Sequence, residues 1–188
     1  MKYNLEVLKQ QQGILTSFVQ HLAYARGVRA AIETFTVHSQ FWAATASAHL
    51  GYATVEWCKV FGTNRETTQW KKIFTAAAGT QAIDDFRRAL LVHAGLDDPQ
   101  WKECHEKILA LRNTFVAHHD LKNPFRAPTP HFDAALLITY AYQARVKPLY
   151  QEAFLEQSLP ETWAEPRDIF IAQYEIWKAE ALAIVSPQ

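Results

Sequence analysis

The sequence predicts an all-α fold, a bundle of about six or seven helices. Three observations predict it. Apolar residues recur at three- and four-residue spacings along most of the chain, and no run alternates clearly enough to read as a strand. Only six Gly and eight Pro are spread through 188 residues, so the elements should be long. The chain is 49% apolar and holds six Trp, which argues for a packed core and against disorder. A chain of this length can bury a substantial core, and residues 1–188 are expected to form one domain.

The elements follow in order. Leu5, Leu8, Leu15, Phe18 and Leu22 mark one face of a first helix. Gly27 is expected to bend or interrupt it before Val28, Ile32 and Phe35 resume the pattern. A second helix is expected over residues 39–61, with Ser39 as N-cap and Gly62 as its stop. Phe41, Trp42, Leu50, Tyr52, Val55 and Trp57 sit there among small residues, which marks it as the central helix or as a face covered by a second subunit. A polar turn over 62–66 precedes a short helix near 68–74 and a loop at Gly79. Thr80 is expected to cap a helix carrying Ile83, Phe86, Ala89 and Leu90 that ends at Gly95. Asp98-Pro99 reads as a capping carboxylate followed by proline at the first helical position. Thr129-Pro130 repeats that signal before a long helix through Leu137, Tyr140 and Val146, which Pro148 should kink or end. After a turn near Pro160, Phe170, Tyr174, Trp177, Ala181 and Ile184 share a face of the last helix. Residues 160–188 read as a C-terminal helical extension without an assigned role.

Composition narrows the function classes. Nineteen basic residues balance nineteen acidic ones, which argues against a basic nucleic-acid coat, so any RNA contact must come from a local patch. Cys58 and Cys104 form neither a disulfide framework nor a CxxC metal site. With no signal peptide, a reduced cytoplasmic protein is expected. Residues 34–55 carry no full charge and are long enough to span a bilayer, but His38, Ser39, Gln40, Ser47 and His49 read as a buried helix rather than a membrane span. No phosphate-cradling glycine loop or nucleophile elbow appears, and no cofactor is expected.

The densest group of reactive side chains closes the helix that starts near Asp98. Trp101, Cys104, Ile108, Leu111 and Phe115 form its apolar stripe, which His118 continues. His105, Leu109, Arg112, Val116 and His119 form a second line. On an ideal helix Arg112 and His118 diverge by about 120°. They converge on one ligand only where the helix breaks or a second copy supplies one of them. An arginine fork suits a phosphate, and a histidine moves a proton near neutral pH. With Asn113 to orient them, the group suits metal-independent cleavage of an RNA phosphodiester by the adjacent 2′-hydroxyl. The same residues also have ordinary structural uses, as a helix-end histidine cap and a surface ion pair.

Arg112-Asn113, four residues and His118 resemble the Arg-polar-x4-His motif of the HEPN superfamily (higher eukaryotes and prokaryotes nucleotide-binding). The local form Leu-Arg-Asn, three residues, Ala-His-His-Asp is similar to the branch associated with abortive infection, as is the segment over 55–62. The similarity runs loosely from the second helix to the helix after Pro130. The resemblance implies a HEPN-like up-and-down helical bundle, a homodimer, and an endoribonuclease site shared across the dimer interface. Arg112, Asn113 and His118 take the motif's catalytic places. His119 also fits the spacing, but His118 follows the alanine as the motif usually does. A toxin or phage-defence effector is the implied role, with an antitoxin or a nucleotidyltransferase as a candidate partner and no membrane. Substrate-binding candidates are His119, Lys122 and Arg126, the last two flanking Phe125 in a proline-rich loop. Two alternatives stay open: a catalytically silent HEPN module that binds RNA, a nucleotide or a protein, and a metal-binding helical bundle built on His93, His105 and His119.

Overall fold

A computed structural model describes residues 3–36, 39–113, 130–154 and 166–185. These residues form an all-α bundle of six α-helices: α1 (Leu5–Phe35), α2 (Gln40–Phe61), α3 (Gly79–Ala94), α4 (Asp98–Leu111), α5 (Asp133–Phe154) and α6 (Pro166–Val185). Two short 3₁₀ turns, Trp70–Ile73 and Ala76–Ala78, link α2 to α3. Extended pairing among the described residues is limited to one isolated bridge between Tyr3 and Phe74. No described helix is long and apolar enough to cross a membrane.

The centre of the bundle is α1, which touches α2, α5 and α6. Leu8, Leu15, Phe18, Val19, Leu22 and Ala23 are buried along it, so its apolar face serves several neighbours. Gly27 does not interrupt it. A Cβ on Gly27 would lie 2.5 Å from the Lys178 carbonyl oxygen and 2.8 Å from the Ala181 Cβ, so the glycine lets α6 approach closely. The expected break is instead a helix crossing. This contact also gives the C-terminal helix its place, in a small second core of Val28, Ala31, Ala46, Ala181 and Val185.

Ser39 caps α2 as expected, accepting from the Trp42 N–H, and Gly62 ends it. The uncharged N-terminal half of α2 is not a buried helix, however. Phe41 is 67% exposed and Tyr52 53%, and Ala43, Ala44, Ser47 and Ala48 are exposed with them. Burial sets in toward the C-terminal half, at Ala53, Thr54, Trp57, Cys58, Val60 and Phe61.

Helix starts shift for local reasons. Helix α3 begins at Gly79 directly out of a 3₁₀ turn, so Thr80 falls inside its first turn. The α4 cap is Asp97, one residue before the expected one, because Gln100 completes a reciprocal capping box with it. Asp98 is thereby released to accept from Arg87 on α3. Helix α5 starts at Asp133, after an irregular Pro130-His131-Phe132, and runs through Pro148 to Phe154. On α6, Tyr174 and Ala181 are buried, but Val185 replaces the exposed Ile184 at the end of the face.

Candidate functional site

The site is built on the α2–α3 connection and α4. Gln11 of α1 is fully buried, and its Nε2 donates to the Thr68 carbonyl at 2.9 Å while its Oε1 accepts from Tyr142 on α5. The Thr68 hydroxyl donates to the Lys59 carbonyl at 3.0 Å. These bonds hold the segment after Gly62 against the core and leave Thr63, Asn64 and Glu66 facing α4.

Helix α4 presents two faces, as its spacing predicts. Cys104, Ile108 and Leu111 are buried, while His105, Leu109 and Arg112 form a half-buried line beside them. The α-helix ends at Leu111, and Arg112 keeps α-helical dihedrals, φ −56° and ψ −47°. Arg112 and Asn113 open a π-helical turn, a feature found often at functional sites. The Arg112 N–H is shared between the Ile108 and Leu109 carbonyls. Its side-chain Nε–H donates to Asn113 Oδ1 at 3.1 Å, and Nη1 lies 3.9 Å from Glu66 Oε1. The Cys58 thiol is close enough to feel both groups. Burial pushes its pKa up to about 12, against the opposing pull of Arg112 and with a smaller push from Glu66. Cys58 therefore stays a neutral thiol, and the Arg112 charge is left to Glu66 or to an incoming anion.

Two turns earlier on the same α4 line, His105 and Trp101 wall a cleft of about 300 Å³. Its other walls include Phe61, Asn64, Trp70, Lys71 and Arg87. The Trp101 and His105 rings lie 5.8 Å apart at 30°. Lys71 Nζ sits 5.5 Å from the Trp70 ring, and Arg87 is held by Asp98. A second cleft shares Arg87, Trp101 and His105 and adds Lys102, Asp98 and Glu106. Aromatic walls with two cations at the rim suit a flat, anionic ligand such as a nucleotide. Behind this cleft Trp57 is fully buried, 6.1 Å from Trp101, and its indole N–H has no acceptor among the described residues.

Of the residues singled out in the sequence, Arg112 and Asn113 are brought together here. His118, His119, Lys122 and Arg126 lie outside the described residues. His93 lines a different cleft, with Asp85, Arg88 and Arg145, so it does not join His105. Among the described residues no group of three His, Cys, Asp or Glu side chains is placed to hold a metal ion. Arg26 of α1 is a clasp: it donates to Asp133 of α5 at 2.6 Å and to the Tyr174 hydroxyl of α6 at 3.1 Å. Sequence reasoning passed over Glu66, Lys71 and Arg87, which come from other elements. Their one available signal was the line from His105 to Arg112, which marks the face they cover. Comparison with family models, curated proteins and solved structures finds no match to this chain.

Proposed function

We propose that this chain is an RNA-directed protein of HEPN type, a metal-independent endoribonuclease acting in the cytoplasm as a toxin or phage-defence effector. The observation that carries the reading is the placement of Arg112. It sits at the end of α4, where a π-helical turn opens, on the same face as a cleft lined by Trp101, His105, Lys71 and Arg87. His105 and Arg112 are about 10.5 Å apart along the helix axis, at 1.5 Å per residue. A single strand lying along α4 places a base against Trp101 and His105 and a phosphate at Arg112.

In this scheme the 2′-oxygen attacks phosphorus, the P–O5′ bond breaks, and a 2′,3′-cyclic phosphate and a 5′-hydroxyl result. His118 takes part in proton transfer, and Arg112 neutralises the charge growing on the phosphoryl oxygens. Asn113 holds the guanidinium by accepting its Nε–H, as it does at 3.1 Å in the free chain. A second copy of the chain completes the site, as the HEPN resemblance implies. His119, Lys122 and Arg126 extend the RNA contact. RNA cleavage in the presence of EDTA tests the proposal. Cleavage by the intact protein is expected to fall by about a hundredfold or more in Arg112→Ala and in His118→Ala. Metal-dependent cleavage, or full activity in both variants, contradicts it.

The Arg112–Glu66 contact favours a second reading, a catalytically silent HEPN module that binds RNA, an antitoxin or a nucleotidyltransferase. There Arg112 keeps the segment after Gly62 in place, and a folded protein binds RNA or its partner without cutting it. RNA binding without cleavage, weakened by Lys71→Ala or Arg87→Ala, selects that reading.

A further inference from the structure

His21 of α1 and His49 of α2 face each other with their Nδ1 atoms 2.7 Å apart. At that distance one ring donates its Nδ1–H and the other accepts it. Both rings are half-buried. Burial lowers the pKa of His21, the neighbouring His49 lowers it further, and the Glu56 carboxylate works the other way. Burial lowers that of His49 as well. Both imidazoles therefore favour the neutral form that carries a free lone pair.

The surroundings hold the rings in place. The Tyr52 ring lies 4.3 Å from His21, and the Tyr24 ring meets His49 edge-on at 5.4 Å. Gln20 donates to the Tyr24 hydroxyl at 3.2 Å. Glu56, 4% exposed and bonded to Lys59, supplies the negative field felt at His21.

We propose that His21 and His49 chelate a late first-row divalent cation, Zn²⁺, Ni²⁺ or Cu²⁺, between α1 and α2 through their Nδ1 atoms. Neutral imidazole prefers these ions, whereas Mg²⁺ and Ca²⁺ take oxygen donors. Tetrahedral coordination at about 2.0–2.1 Å needs the two nitrogens about 3.3 Å apart, so the rings must part by about 0.6 Å. Both are partly open to solvent, which permits that movement and lets water fill the remaining positions. The proton balance closes without a net charge change on the rings: the Nδ1 proton of the donor ring returns through water to its own Nε2. A bound ion pins the middle of α1 to α2, independently of any RNA chemistry at Arg112.

Calorimetric titration of tag-free protein with Zn²⁺ and Ni²⁺, with Mg²⁺ as control, tests this. One Zn²⁺ or Ni²⁺ per chain is expected, no Mg²⁺, and a rise in Tm with Zn²⁺. His21→Ala and His49→Ala should each weaken binding about tenfold or more, since loss of even an outer partner of a metal ligand costs that much. His93→Ala and His131→Ala, both at exposed positions, should leave binding unchanged. Substoichiometric Cu²⁺ should broaden the imidazole NMR signals of His21 and His49 before those of the other histidines. That readout uses the intact protein and decides the matter if an alanine variant does not fold. Absence of binding at millimolar Zn²⁺ and Ni²⁺, affinity unchanged in both variants, or first broadening at other histidines overturns the proposal.

Discussion

Gln11 is a fully buried amide on an otherwise apolar face of α1, and every polar atom it offers is used. Its Nε2 reaches the Thr68 and Gln69 carbonyls, and its Oε1 accepts from the Tyr142 hydroxyl. A buried polar group costs most when its partner is removed and it is left unsatisfied. Gln11→Leu takes the donor from the Thr68 carbonyl and one acceptor from the Tyr142 hydroxyl, while the Gln69 carbonyl keeps the Lys72 N–H at 2.7 Å, so a loss of about 2–3 kcal/mol is expected in urea unfolding. Tyr142→Phe removes one bond from the same network and should cost about 1 kcal/mol. If the two variants cost the same, Gln11 does not hold the segment after Gly62. Arg112 is held less tightly: its Nε–H bonds Asn113 at 3.1 Å, but its Glu66 partner stands at 3.9 Å and can exchange for a ligand. The sequence showed that Arg112 was chemically able; the pairing with Glu66 came from a segment 46 positions away.

Helix α1 provides a controlled comparison. It holds two glycines, and the same substitution should act with opposite sign at each. Around Gly13 nothing lies within 4 Å of an added Cβ, whereas at Gly27 the Lys178 backbone lies 2.5 Å away. Gly13→Ala should therefore stabilise by about 0.5–1 kcal/mol through helix propensity and chain entropy. Gly27→Ala should destabilise by about 1–3 kcal/mol, because α6 has to move off α1. Thermal unfolding of the two variants beside the parent reads both signs at once; equal signs would disprove the close α1–α6 crossing. Periodicity located α1 well but could not distinguish a glycine that weakens a helix from one that admits a neighbour. The same limit applies to α2. Its uncharged run reads as buried, yet Ala46, Leu50, Ala53 and Thr54 are buried there while Phe41, Ala43, Ala44, Ser47, Ala48 and Tyr52 are exposed.

Across the whole molecule, burial governs the chemistry of both cysteines. Burial raises the Cys58 pKa to about 12, opposed by Arg112, and the Cys104 pKa to about 11, with a smaller contribution from Glu103. Two consequences follow. A thiol reagent at pH 8 should label neither cysteine in the folded protein at more than the rate of opening, and both after denaturation, as read by mass spectrometry. Stability should also fall in alkali. Both folded pKa values exceed the reference value of 9.0, so the stabilising difference is complete below about pH 9. It is lost as pH rises through 11 and 12, because the unfolded chain releases protons that the folded chain retains. Urea midpoints measured from pH 8 to pH 11 should decline, and Cys58→Ala should flatten that decline. Rapid labelling of the native protein would mean that Cys58 is not enclosed by α2 and its neighbours.

By itself the sequence determined the helical class, the run of helices, the Ser39 cap, and the two lines along α4 that separate Ile108 from Arg112. These are local properties, set by side-chain spacing and hydrogen bonding within a few residues. Only the tertiary structure decided that α1 is the centre, that Gly27 serves a crossing, and that Asp98 meets Arg87. It alone brought Lys71, Arg87, Trp101 and His105 into one cleft, and His21 against His49. Those contacts join residues from different elements, and a one-dimensional pattern carries the phase of each helix but not which faces meet.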